Sequence, residues 1–77
     1  MYTADIQLST VEHVKNFVSS ISNFDFLVDI KQGKYCVNAK SIMGIFSMDL
    51  TKALTVSADV DAESTEKLDA AIEEFKI

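Results

Sequence analysis

Proline is absent from this 77-residue sequence, glycine occurs only twice, and histidine and cysteine occur once each. The absence of proline speaks against a flexible multi-segment chain, and no internal repeat or low-complexity linker divides it. The lone Cys36 has no partner for an internal disulfide, which fits a reducing, cytoplasmic setting. The lone His13 rules out a histidine metal cluster, and no cofactor or metal is expected. No apolar run approaches the roughly twenty residues that a membrane span needs. The start of the chain carries acidic Asp5 and no basic segment ahead of an apolar one, unlike a secretion signal. Basic charge is also scarce: 7 lysine or arginine residues against 12 acidic ones give a net charge of −5. That balance argues against non-specific binding to nucleic acid or to an anionic membrane. A chain this short buries only about 60% of its unfolded surface. It therefore has room for two thin layers and not for an enclosed active site. The expectation is one small cytoplasmic domain over residues 1–77 that is not an enzyme.

What is present is a clear succession of periodicities. Residues 2–8 alternate, with Ile6 and Leu8 opposite Asp5 and Gln7, which predicts a half-buried strand. Ser9-Thr10-Val11-Glu12 has the form of a capping box led by Ser9. Behind it Val11, Val14, Phe17, Val18 and Ile21 recur at three and four, predicting a helix from about Thr10 to Ile21. Phe24, Phe26, Val28 and Ile30 repeat at period two and predict a second strand over 24–30. Lys31-Gln32-Gly33-Lys34 reads as a hairpin turn, with Tyr35 to Ala39 as the returning strand. Residues 53–58 alternate as a fourth strand. A last helix is capped by Asp61 and carries Leu68, Ala71, Ile72 and Phe75 at i, i+3, i+4 and i+7. The order β-α-β-β-α-β-α predicts an α+β fold: a four-stranded, mainly antiparallel sheet with three helices on one face. The other face, bearing Gln7, Asp29 and Thr55, is expected to meet water.

Between the third and fourth strands lies the most informative stretch, residues 38–50. Ser41 can cap a very short helix, followed by Ile42, Met43, Ile45, Phe46 and Met48. A helix has one inward stripe and cannot bury all five of these side chains. Ile45 and Met48 share one face, while Ile42, Met43 and Phe46 share another. With Val14, Phe17, Val18, Ile21, Ile30, Leu54, Val56, Leu68, Ile72 and Phe75 already available as core, the second trio reads as a partly exposed docking patch. A serine beside such a patch is well placed for a phosphate switch, because free amides at the positive end of a helix favour an anion.

The block Lys40-Ser41-Ile42-Met43-Gly44-Ile45-Phe46-Ser47-Met48 resembles the regulatory-serine segment of HPr, the histidine phosphocarrier family of the bacterial sugar phosphotransferase system. The element order agrees over nearly the whole chain, and the resemblance implies the open-faced β-sandwich of that family. It also implies phosphorylation of Ser41 by an HPr kinase/phosphorylase. The phosphoserine form would dock onto a catabolite-control repressor through Ile42, Met43 and Phe46, with Lys40 beside the serine.

The family's active-site motif, Gly-(apolar)-His-(small)-Arg-Pro-Ala at the start of the first helix, has no counterpart in this block. An ungapped alignment on Phe17-Val18 and Phe24 puts Thr10 at the histidine, Glu12 at the arginine and His13 at the proline. Glu12 would repel a phosphorylated imidazole. Sliding His13-Val14-Lys15-Asn16 onto the motif makes Lys15 the arginine's substitute but moves the imidazole into the helix, where amides are already bonded. Three readings follow. The first is an HPr-like regulatory protein acting through its short helix, without histidine phosphotransfer. The second is a genuine phosphocarrier that receives phosphate from enzyme I on His13. The third is a plain interaction module with no phosphorylation. Cys36 reads as a packed or half-exposed strand residue, and Asp59/Asp61 and Glu73/Glu74 as solvated surface.

Overall fold

The computed structural model describes all 77 residues. Strand β1 (Tyr2–Ile6) leads into helix α1 (Val11–Ile21), followed by the hairpin strands β2 (Asp29–Gln32) and β3 (Tyr35–Asn38). Helix α2 (Ile42–Phe46), strand β4 (Leu54–Ala58) and helix α3 (Ala62–Ile72) complete the order, and a 3₁₀ turn over Glu73–Phe75 extends α3. The sheet runs β1-β4-β2-β3 with every neighbour antiparallel. This is the α+β arrangement that the element order predicts.

Local chemistry accounts for the element ends. Gly33 begins the two-residue β2–β3 turn at φ +59°, a conformation that costs glycine little and other residues more. Asp61 caps α3 by accepting the Ser64 N–H at 2.8 Å, and these bonds hold its carboxyl below the usual range. Of the two hydroxyl residues able to cap α1, Thr10 and not Ser9 does so, its Oγ1 accepting the His13 N–H at 3.0 Å. The reciprocal acceptor is the His13 ring, whose Nδ1 takes the Ser9 N–H at 3.3 Å. Glu12 therefore plays no part in the box. Of the two adjacent hydroxyls Thr10 takes the cap, and Ser9 contributes only its backbone N–H.

A second difference lies at residues 24–28, which alternate in burial as a strand would but form none. Central strand β4 pairs with β2 only from Asp29 to Lys31 and ends at Ala58, the residue opposite Val28 in that register, so residues 24–27 lie beyond the end of β4. Phe24 and Phe26 instead stack at 5.0 Å and lie half-buried against the core.

The core lies between the helices and the inner sheet face. Ile6, Leu8, Ile30, Leu54 and Val56 contribute from the sheet side, and Val14, Phe17, Ile21, Leu68, Ile72 and Phe75 from the helices, all at most 2% exposed. Phe17 meets Phe75 edge-on at 5.4 Å, which joins α1 to the end of α3. On the outer face Thr55 donates to Asp5 at 2.9 Å, while Ser57 is buried and its hydroxyl donates to the Met1 sulfur at 3.6 Å. The two sheet edges differ. Beside β1, the tail bridges Ile6 through Lys76, with Gln7 N–H donating to Phe75 O and Ile77 N–H to Asp5 O. The outer edge of β3 has no partner strand.

Candidate functional site

Helix α2 is five residues long and is held at both ends by serine side chains. Ser41 Oγ accepts the Gly44 N–H at 3.2 Å, and Ser47 Oγ donates to Gly44 O at 2.6 Å. Ahead of the helix, Asn38 accepts the Lys40 N–H on its side chain at 2.8 Å and the Ser41 N–H on its carbonyl at 2.9 Å. The Lys40 ammonium reaches back to the carbonyl of Phe24, just past the end of α1. It thereby fixes the approach to α2 and leaves Ser41 exposed at the surface.

The contact that seats α2 on the sheet is made by a residue with no side chain. A Cβ on Gly44 would lie 3.1 Å from Val37 Cβ and 3.1 Å from Ser41 Oγ, so glycine lets the helix backbone settle onto β3. That approach decides which apolar face turns inward. Ile45 is fully buried and Met48 nearly so, whereas Met43 is 76% exposed and Phe46 37% exposed. Ile42 is divided between the two, half-buried and packed against the core. The outward surface is thus Ser41, Met43 and Phe46, with Ile42 at its inner border and Lys40 behind it.

The mouth of α1 is arranged differently. Thr10 occupies the N-cap, and His13 lies in the first turn rather than ahead of it. Its ring rests on Phe75 with centroids 4.8 Å apart, and Nδ1 is taken up by the Ser9 N–H. A phosphoryl group on Nδ1 would have to displace that bond. Glu12 brings a carboxylate into the same turn, and Lys15 is the cation in the one-turn neighbourhood of His13. Val11, 59% exposed, adds an apolar side chain that helical spacing alone would have placed in the core.

Two further features belong to no motif. Cys36 is exposed on β3, more so than expected for a packed strand thiol. Far from α2, Asp69 gathers the Tyr2 hydroxyl at 2.7 Å and the Lys76 ammonium, which also pairs with Glu73 at 3.2 Å. The hydrogen bonds from Lys76 and Tyr2 hold the Asp69 carboxyl below its usual range. Burial, and then the bond to Asp69, push the Tyr2 phenol up to about 12, and the bond to Asp69 takes Lys76 up to about 12. This cluster ties β1, α3 and the tail together. It spans 67 residues of sequence, which no local pattern announces.

No three His, Cys, Asp or Glu residues converge in a metal-binding group, and no helix is long and apolar enough to cross a membrane. Comparison with known proteins places this arrangement among relatives. The family model described as the PTS HPr component phosphorylation site matches residues 11–76, beginning one residue beyond Thr10. No curated protein sequence matches the chain. Among solved structures, HPr-C-His from Thermoanaerobacter tengcongensis is similar, with 28% identity and a TM-score of 0.74 over 96% of this chain and 93% of that one. The phosphocarrier protein HPr from Bacillus anthracis str. Ames is also similar, with 25% identity and a TM-score of 0.72 over 97% and 96% of the two chains.

Proposed function

The chain belongs to the HPr family of the phosphotransferase system, and from that membership we propose that it is a regulatory docking protein of the system rather than a donor of histidine phosphate. The observation that carries this reading is the exposure of Met43 and Phe46 on the same short helix that Ser41 caps. Apolar side chains that the fold does not need for its own core are available to a partner, and methionine adapts to the shape of what it meets. Phosphate on the exposed Ser41 would add about −1.5 to −2 charge at the border of that surface and change which partner it suits. The partners in this reading are an HPr kinase/phosphorylase that modifies Ser41 and a catabolite-control repressor that receives α2. Met43 and Phe46 are the centre of the docking surface, with Ile42 at its inner border and Lys40 beside Ser41. The protein catalyses nothing itself.

The mouth of α1 supports leaving histidine transfer out. The His13 imidazole is engaged by Ser9 and Phe75, and the adjoining acidic charge of Glu12 opposes a bound phosphoryl group. Incubation with HPr kinase/phosphorylase and ATP tests the proposal directly. It expects one acid-stable phosphoserine that disappears in Ser41→Ala. With phosphoenolpyruvate and enzyme I it expects no acid-labile phosphate. An acid-labile label lost in His13→Ala would replace this reading with a phosphocarrier. No label in either reaction would leave a plain docking module.

A further inference from the structure

The surface carries one cleft, of about 470 Å³, at the turn end of the β2–β3 hairpin, and none of Ser41, Met43 or Phe46 lines it. One wall is Gln32, Gly33, Lys34 and Tyr35, and the other is Asp49 and Lys52 from the α2–β4 connection. The walls are pinned to each other. The Gln32 carboxamide donates to Asp49 O at 2.7 Å and accepts the Asp49 N–H at 2.9 Å, so the cleft is set before any ligand arrives.

Four kinds of recognition chemistry meet there. Lys34 and Lys52 bring two ammonium groups, and Lys52 is held only loosely, 3.9 Å from Asp49 Oδ2. The Gly33 and Lys34 N–H groups have no acceptor within the chain, and space beside Gly33 is open for 4 Å around the position a Cβ would take. Tyr35, 72% exposed, offers an aromatic face. Asp49 adds an acceptor that stays ionised, its carboxyl held low by hydrogen bonds from the Thr51 hydroxyl and amide.

This set is selective in a definite way. Two ammoniums and free amides attract a phosphate, whereas the fixed carboxylate opposes a second anionic group and rewards hydroxyl donors instead. A flat aromatic face suits the C–H surface of a sugar ring. We propose that the cleft binds a small phosphorylated sugar. Its phosphate lies on Lys34, Lys52 and the turn amides, its hydroxyls donate to Asp49, and its ring covers Tyr35. The site is independent of docking through α2.

Amide chemical-shift titration of the full chain with glucose 6-phosphate tests this, with glucose and inorganic phosphate run in parallel. Saturable shifts confined to Gln32, Gly33, Lys34, Tyr35, Asp49 and Lys52 are expected, with a Kd of about 1 mM. Lys34→Gln and Lys52→Gln each weaken binding about tenfold, the effect of losing one charge-assisted hydrogen bond. Tyr35→Ala weakens glucose 6-phosphate and leaves inorganic phosphate unchanged. Asp49→Asn weakens the sugar phosphate while tightening inorganic phosphate. The proposal is overturned if inorganic phosphate binds as well as glucose 6-phosphate, if Tyr35→Ala affects neither, or if the shifts spread to Lys15, Lys31 and Lys67. Such a failure would leave the kinase and docking experiments on α2 unaffected.

Discussion

The hydroxyl of Tyr2 donates to Oδ1 of Asp69 at 2.7 Å, and Lys76 donates to the same oxygen. One carboxylate oxygen therefore anchors the first strand and the tail to the last helix. Its titration has a definite sign. The folded pKa of Asp69 lies below the ordinary 3.8, so its contribution to stability is present above that value and is lost as pH falls through the folded pKa. Lys76 and Tyr2 are displaced the other way, to about 12 from 10.5 and 10.0. Their contributions are complete below pH 10 and disappear as pH rises toward 12. Urea unfolding from pH 2 to 11.5 should show wild type losing stability at both ends, with both slopes shallower in Asp69→Asn.

The crowding around Gly44 predicts a coupling with Ser41. Alanine is the better helix former by about 1 kcal/mol. Its Cβ, however, would meet Val37 on the strand and Ser41 Oγ at the cap. Val37 cannot move without its strand, so the serine gives way and the cap, worth about 1 kcal/mol, is weakened along with the packing. Gly44→Ala should be destabilising by about 1 kcal/mol despite its propensity gain. In a Ser41→Ala background the cost should be smaller, by about the value of the cap, in a double-mutant cycle read by chemical denaturation.

The two faces of α2 should separate stability from binding. Ile45 is fully buried, and Ile45→Ala should cost about 2–5 kcal/mol. Met43 is three-quarters exposed, and Met43→Ala should change unfolding free energy by no more than about 0.5 kcal/mol. Met43→Ala combined with Phe46→Ala should nonetheless abolish partner capture by the folded protein. Retained capture by that variant would remove the docking surface.

At the first helix, Thr10→Ala should cost about 1 kcal/mol, because it strands the His13 N–H. Ser9→Ala should cost much less, since the bond made by Ser9 comes from its backbone and not its hydroxyl. Thermal unfolding of the two variants distinguishes them. The reverse order would restore Ser9 as the cap.

Elements stabilised by neighbours in sequence were readable in advance. The α3 stripe of Leu68, Ile72 and Phe75, the Asp61 cap and the Gly33 turn each depend on residues within a turn or two of one another. Phe24 to Leu27 show that alternating burial and strand pairing are separate properties: these residues alternate in exposure, yet the β2 ladder starts only at Asp29, preceded by a single bond from Ala39 N–H to Val28 O. The partition of α2 was half-legible. Spacing separates Ile45 and Met48 from Met43 and Phe46, but the choice between the faces comes from Gly44 approaching Val37, and Ile42 falls between them. The Tyr2–Asp69 and Gln32–Asp49 links join residues far apart in the chain, and periodicity carries no record of such pairs.

The unequal margins of the sheet limit how copies of this protein could polymerise. Backbone from Asp5 to Gln7 is already stitched by residues 75–77, which leaves only Tyr2 to Ala4 open on that side. The β3 margin stays open along its length. If two copies joined β3 to β3, each would spend its longer open border, and a third would find only Tyr2 to Ala4. Further growth by strand stacking would have only that three-residue stretch to build on, because residues 75–77 occupy the rest of the β1 edge.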